Sequence, residues 1–282
     1  MEVGTPKNNV KWNYVFQITL NTYSMHQLTA MELGQDFDLD YSLKYGHLPC
    51  SYTESDPKAY LESYLKTYLE QEIQQEGLTR NLGAFSRFLE AASFSEGSVL
   101  NISAVSRDCS VERKVVENYF TILEDLLIAY RIPVFAKKTK RRLIAHSKFY
   151  IFDVGVYRTL RPRGPLDLPE NIEGAALETL FFQELNAIND FLDLGYKIFY
   201  WKTSGNLEVD FVLYGKRGIK AFEIKRTGRP KSAQLKGLKA FLRDYPAAKT
   251  YFIYGGKRHM HEGNIEIIPI TETLKNLSSI LL

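Results

Sequence analysis

The stretch NLEVDFVLYGKRGIKAFEIKR, residues 206–226, constrains this chain more than any other. Two apolar runs flank the turn YGKRG, which fits an antiparallel hairpin. Strict alternation puts Leu207, Val209, Phe211 and Leu213 on one face and Glu208 and Asp210 on the other. In the second run Phe222 and Ile224 share a face, opposite Glu223 and Lys225. Asp210, Glu223 and Lys225 are thus expected to converge near one end of the hairpin. Two carboxylates so close repel unless a cation sits between them. Oxygen ligands with open water positions suit Mg²⁺ or Mn²⁺, and an adjacent lysine can orient a water or neutralise a phosphate. The plainer alternative is a cross-strand Asp210–Lys225 ion pair on a solvated face, worth ~0.2–1 kcal/mol.

The rest of the chain supplies the setting. Its 282 residues allow one large domain or two to three small ones. A net charge of +3 permits nucleic-acid binding without requiring it, so local clusters decide. Cys50 and Cys109 stand far apart in no metal-ligand spacing, which favours a reducing, cytoplasmic setting over a disulfide framework. No apolar stretch reaches the length of a membrane span and no signal-peptide pattern opens the chain, so a membrane partner is not expected.

Along the chain, YVFQITLNTY reads as a strand without sheet neighbours and MHQLTAMEL as a short helix. Gly46 and Pro49 break the next segment. Asp56 and Pro57 open a helix with an apolar stripe at Tyr60, Leu61, Tyr64, Leu65, Tyr68, Leu69 and Ile73, ending at Gly77. LGAFSRFLEAAS and ISAVSRDC are amphipathic helices, and Ser110 is expected to cap VERKVVENYFTILEDLLIAYRI. With PVFAKKTKRRLIAHSKFYIFD as two strands flanking a basic run, these have the outline of a winged helix-turn-helix. Arg113 and Lys114 would then face DNA beside Glu112, and Lys138, Lys140, Arg141 and Arg142 would meet phosphates. The competing reading is a protein–protein spacer with a solvated basic tip. Arg158–Gly174 is turn-rich and reads as a linker. Helices then alternate with strands, which predicts an α/β unit with a mixed sheet.

Asp210 followed by Glu223-x-Lys225 resembles the PD-(D/E)xK signature of the restriction-endonuclease-like superfamily. GAALETLFFQEL, YWKTSGNLEVDFVL and AFEIKR, in that order, resemble segments of prokaryotic AAA-type ATPases that carry such a domain of unknown function at their C-terminus. SKFYIFDVGVYRTL, YSLKYGHLP and YLESYLKTYLEQEI extend the resemblance upstream, from about Phe16 onward. It implies Asp210 and Glu223 as metal ligands, Lys225 as the catalytic lysine and Glu178 as a further metal-site acid, with Glu184 a weaker substitute. A nuclease reading takes Mg²⁺ or Mn²⁺ as cofactor and DNA as partner, with the basic residues Lys202, Lys216, Arg217, Arg226, Arg229 and Lys231 holding the backbone. Gln234 matches a glutamine of some nuclease branches, but Leu238 stands where their tyrosine would.

The departure is equally specific. No G-x-x-x-x-G-K-[ST] phosphate loop occurs in this sequence, so no ATP site is expected, and the chain reads as a C-terminal portion of the architecture. The expected layout is multi-domain α/β: an ATPase-core remnant and helical lid over residues 1–77, a winged helix-turn-helix over 78–157, a linker over 158–173 and a restriction-endonuclease-like domain over 174–282. Two functions follow, a metal-dependent nuclease or a catalytically silent DNA- or protein-binding module, either as a homo-oligomer or beside a separate ATPase subunit. His259 and His261 read as a solvated turn, and Tyr200 and Trp201 as core residues rather than base-stacking platforms.

Overall fold

The computed structural model describes residues 25–69, 81–136, 146–165 and 167–282. It is mixed α/β: a helical N-terminal region, then a six-stranded mixed sheet with helices. The expected N-terminal strand, the stop at Gly77 and the basic run Lys138, Lys140, Arg141 and Arg142 lie outside the described residues.

Four short helices come first: α1 (Ala30–Leu33), α2 (Leu39–Tyr45), α3 (Pro49–Thr53) and α4 (Pro57–Ser63). Thr29 and Glu32 form a capping box at α1, so that helix starts later than the sequence suggests. Asp56 caps α4 as expected, its carboxylate accepting the Ala59 N–H at 3.0 Å. The next unit holds α5 (Leu82–Ser93), α6 (Ile102–Cys109), α7 (Arg113–Asp125) and the antiparallel strands β1 (Ala129–Ile132) and β2 (Lys148–Ile151), the element order expected of a winged helix. Two details differ. Ser110 does not cap α7; it ends α6 in a left-handed conformation, φ 54°, and Glu112 precedes α7. The long helix stops at Asp125 because Leu127 turns left-handed, φ 58°, with the Ile128 N–H returning to the Leu123 carbonyl at 2.8 Å, so Ala129–Ile132 becomes strand.

After α8 (Val154–Leu160), the 23-residue α9 begins at Pro169 and runs to Phe191. Half of the expected linker is therefore helical: its start closes α8, and PENIEG forms the opening of α9 with Pro169 preset for a first turn. The main sheet has the order β3 (Lys197–Lys202), β4 (Glu208–Gly215), β5 (Gly218–Lys225), β6 (Lys249–Tyr254), β8 (Ile265–Pro269) and β7 (Met260–Glu262). β5–β6 and β6–β8 pair in parallel; the other neighbours are antiparallel. α9 packs on one face, where Phe181 and Leu185 meet Phe211, Phe222 and Ile224. α10 (Lys236–Asp244) covers the other, where Leu238 and Phe241 meet Trp201, Val209 and Val212. The first cluster runs without interruption from Ala30 to Leu281, so the helical N-terminal region and the sheet share one core. Val134 and Phe135, beyond β1, bridge to Tyr200 of β3 and tie the two sheets together. α11 (Ile270–Lys275) and α12 (Leu277–Leu281) close the chain. The turn expected at His259 and His261 is partly the edge strand β7, their rings stacked 5.2 Å apart.

The helical region is keyed to the rest by buried polar groups. Asp153, fully buried, accepts N–H bonds from His47, Gly155 and Val156 at 2.8–3.0 Å. Gly155 lies so close to the end of α2 that a Cβ there would meet the Tyr45 carbonyl oxygen at 2.2 Å, whereas one at Gly174 would meet nothing within 4 Å. Gly155→Ala is expected to lose ~1–3 kcal/mol of stability through forced backbone shifts. Gly174→Ala, inside α9, is expected to gain ~0.5–1 kcal/mol. Urea denaturation of both variants checks the pair.

Candidate functional site

β4 does not hold the strict alternation of the sequence reading. Its pairing with β3 shifts register between Phe199–Val212 and Trp201–Val209, one extra residue on the β4 side. Leu207 and Val209 therefore belong with the α10 face, while Phe211 and Leu213 belong with the α9 face. The β4–β5 ladder runs from Gly215–Gly218 to Phe211–Phe222 and stops there. One residue further on, the Asp210 carboxylate takes the Ile224 N–H at 2.9 Å, replacing a main-chain acceptor. Gly237 of α10 seats this segment: a Cβ there would be 1.9 Å from the Glu208 carbonyl oxygen.

Around that bulge the structure brings together Asp210, Glu223 and Lys225, whose convergence the strand pattern predicts, and Glu178, which the resemblance implies. Lys225 Nζ lies 2.8 Å from Glu223 Oε1 and 3.3 Å from Asp210 Oδ2. Two further groups were missed. Lys148, on β2, is 2% exposed, with Nζ 2.5 Å from Glu208 Oε1, 3.5 Å from Glu178 Oε2 and 3.6 Å from Asp210 Oδ1. Glu208 holds Lys202 at 2.6 Å with its other oxygen. The Tyr150 hydroxyl donates to Glu178 Oε2 at 3.1 Å. Nothing in the pattern of SKFYIFD marks Lys148 as buried; only its tertiary partners do.

The charges explain one another. Burial opposes the Asp210 charge, but Lys225, Lys148 and the Ile224 N–H outweigh it and hold its pKa below the ordinary range. Burial and the neighbouring Asp210 raise Glu223 to about 8 and Glu178 to about 7. Burial likewise opposes the Lys148 and Lys225 charges, yet the surrounding acids raise both lysines.

A divalent ion does not fit the residues as they stand. Among the described residues no three His, Cys, Asp or Glu side chains are placed to hold one. The space that Asp210, Glu178 and Glu223 would offer is taken by the ammoniums of Lys148 and Lys225. Within this cluster one acid oxygen remains unmatched: Glu223 Oε2 is buried with no hydrogen-bond partner.

The other candidates are placed as follows. Glu184 lies elsewhere, its carboxylate accepting the Ala30 N–H at 2.7 Å and facing His47 at 3.2 Å. Gln234 closes the turn before α10 by accepting the Lys231 N–H at 2.9 Å. Tyr200 and Trp201 are fully buried core residues. Arg113 is exposed but pairs with Glu117 at 3.0 Å, and Lys114 is exposed beside it. Arg226 is bound to Glu173 at 2.5 Å and Asp40 at 3.3 Å. Lys216 and Arg217 sit in the β4–β5 turn, about 24 Å along the strands from Lys225. Glu178 also borders a cavity of about 580 Å³ between residues 93–98 and the first turns of α9, with Glu96 in its wall. No described helix is long and apolar enough to cross a membrane.

Comparison with known proteins adds a frame. Residues 36–167 match the family model of a domain of unknown function, DUF8612, and residues 173–273 that of another, DUF4143. DUF4143 is associated with AAA ATPase-like proteins. Two mycobacterial relatives, Uncharacterized protein Mb2031c of Mycobacterium bovis and Uncharacterized protein Rv2008c of Mycobacterium tuberculosis, are each 27% identical over 218 residues, which is 75% of this chain and 48% of theirs. The chain spans about half the length of the curated relatives it matches.

Glu96 sets a pH dependence. Burial lifts its pKa from the ordinary 4.5 to about 8, against the lowering effect of the Thr179 hydroxyl and the Ile151 N–H. An acid whose folded pKa exceeds its unfolded value holds its proton longer when folded. The stability it contributes is complete below pH 4.5 and is lost as pH rises to about 8. Glu96→Gln is expected to flatten the decline over that window by up to ~1.4 kcal/mol per pH unit, leaving the parallel shares of Glu178 and Glu223. Thermal melts of both proteins across the window check this.

Proposed function

We propose that this chain is a nucleic-acid-binding module on a nuclease-like sheet, acting together with a AAA-type ATPase. The observation that carries this reading is the segregation of charge around the open end of the cluster. From Arg226 to Arg258 the sequence holds nine Lys and Arg against one acid, Asp244. The remainder has 27 cations against 32 acids, from totals of 36 and 33. Six of the nine, Arg226, Arg229, Lys231, Lys236, Lys257 and Arg258, are exposed on segments that follow β5 and β6 or open α10, the end at which Lys225 stands. The Gly255 N–H bonds the Thr227 carbonyl at 3.0 Å, which holds the two strand-end loops side by side. Among the described residues only Arg226 of the six is paired with carboxylates. A rim of this kind suits phosphates in a row, giving affinity without base preference. The exposed start of α7 suits them less, because Glu112 and Glu117 accompany Arg113 and Lys114. The link to an ATPase rests on the association of the DUF4143 family.

Phosphodiester hydrolysis at the acid cluster is the second reading, favoured by the unpartnered Glu223 Oε2. A nuclease would cut DNA in Mg²⁺ and lose cutting in Asp210→Asn; uncut DNA at every divalent ion tried removes this reading.

Binding is tested with labelled DNA by fluorescence anisotropy in EDTA. The double variant Lys231→Glu/Lys257→Glu is expected to weaken binding by roughly tenfold or more and to make it less salt-dependent. Lys216→Glu/Arg217→Glu, at the far end of the hairpin, is expected to bind as wild type does. Equal losses in the two variants, or no DNA binding by the wild type, would overturn the proposal.

A further inference from the structure

A cation already sits among the acids of this site, and it is covalently part of the chain. Lys148 Nζ has oxygens of Glu208, Glu178 and Asp210 at 2.5, 3.5 and 3.6 Å, and its side chain is 2% exposed. The side chain crosses from β2, an element of the helical N-terminal region, to acids on α9 and β4. An ammonium so deeply buried is stable only because carboxylates surround it, and it shares their neutralisation with Lys225 at Asp210 and Lys202 at Glu208. We propose that Lys148 is the resident cation of this site, standing where a divalent ion would, and that Glu178, Glu208 and Asp210 accept such an ion only when this ammonium is removed.

Charge supports the substitution. Glu178, Glu208, Asp210 and Glu223 face Lys148, Lys202 and Lys225, so the formal charge is −1 with Lys148 and −2 without it. One divalent ion cancels the second value when all four acids are ionised, and at lower pH it takes the place of protons held by Glu178 and Glu223. The ligand chemistry also matches, since hard carboxylate oxygens favour Mg²⁺ or Mn²⁺ over softer metals. The distances set the adjustment needed: oxygens now 2.5–3.6 Å from Nζ must close to about 2.1 Å around a metal. Beside these three acids, Glu223 Oε2, on a side chain 8% exposed, has no hydrogen-bond partner, and burial with the neighbouring Asp210 raises its pKa to about 8, so a proton stands in for a cation there near neutral pH. Glu208 enters as a ligand because it shares Lys148, although sequence spacing gave it no role.

The inference rests on the nuclease-like reading of this site, but it is read by metal uptake rather than DNA retention, so either can fail alone. The experiment is calorimetric titration of the full 282-residue chain with MnCl₂. Wild type, Lys148→Met, Lys148→Arg and Lys148→Met/Asp210→Asn are compared. Lys148→Met is expected to bind Mn²⁺ at least roughly tenfold more tightly than wild type. Lys148→Arg, which keeps the charge, is expected to behave as wild type does, and the double variant to lose the gain. Wild type binding Mn²⁺ as tightly as Lys148→Met, in an Asp210-dependent way, would overturn the proposal. So would a folded Lys148→Met that gains nothing. If Lys148→Met is unfolded in metal-free buffer, circular dichroism with added Mn²⁺ decides instead: recovered structure supports the proposal, and no recovery overturns it.

Discussion

The Lys148 ammonium is the group on which the rest of the architecture depends. It joins a strand of the helical region to α9 through Glu178 and to β4 through Glu208 and Asp210. Leaving any one partner of such a buried set uncompensated costs about 3–5 kcal/mol, a large share of a typical domain's stability. An apolar replacement of the whole set could be as stable, so stability alone does not account for these residues. What the cluster does specify is register. Lys148 reaches three acids only if β2, α9 and β4 sit in this mutual arrangement, and the continuous apolar core then fills around them.

Asp210 does comparable work within the sheet. The bulge beside it ends the β4–β5 ladder and switches the outward face of β4, so that Val209 and Phe211 pack on opposite sides. The price in main-chain bonding is small because the Asp210 carboxylate takes the Ile224 N–H itself. The parted strands leave room for charged side chains that a regular hairpin would have forced into contact. The close seat of Gly237 on the Glu208 carbonyl brings α10 against the same point from the other side. The site is thus held by backbone geometry on one face and by ion pairs on the other.

This division accounts for what the sequence could and could not disclose. Helices α5 and α6 follow from apolar periodicity, and α9 and strands β3 to β6 from apolar runs bounded by turn residues. Asp210, Glu223 and Lys225 were legible because they interrupt apolar runs at a fixed spacing. Glu178 was legible only through resemblance, since a glutamate in a helix carries no mark of burial. Lys148 and Glu208 were illegible because their meaning lies in contacts between segments distant in the chain. The alternation rule failed at Val209 for a related reason: a one-residue bulge is decided by the side-chain hydrogen bond it permits, which no local pattern encodes. The helix expected to continue through Tyr130 failed because Leu127 adopts a left-handed turn usually left to glycine.

The lysines also bear on how an acidic cluster can stand beside a basic rim. At an effective dielectric of about 20, a bare carboxylate about 6 Å from a phosphate repels it by about 3 kcal/mol. Four such groups would cancel most of what the rim contributes. Lys148, Lys202 and Lys225 reduce the four to a formal −1, and proton uptake at Glu223 and Glu178 near neutral pH reduces it further. On the proposed nucleic-acid-binding role, neutralisation from within would let a polyanion approach Arg229, Lys231 and Lys257 without first supplying a metal ion. A site that depended on divalent ions for this would hold nucleic acid only when loaded. If the rim holds nucleic acid as proposed, the ammonium of Lys148 would make retention independent of metal, and the same ammonium would keep the acids from acting as ligands.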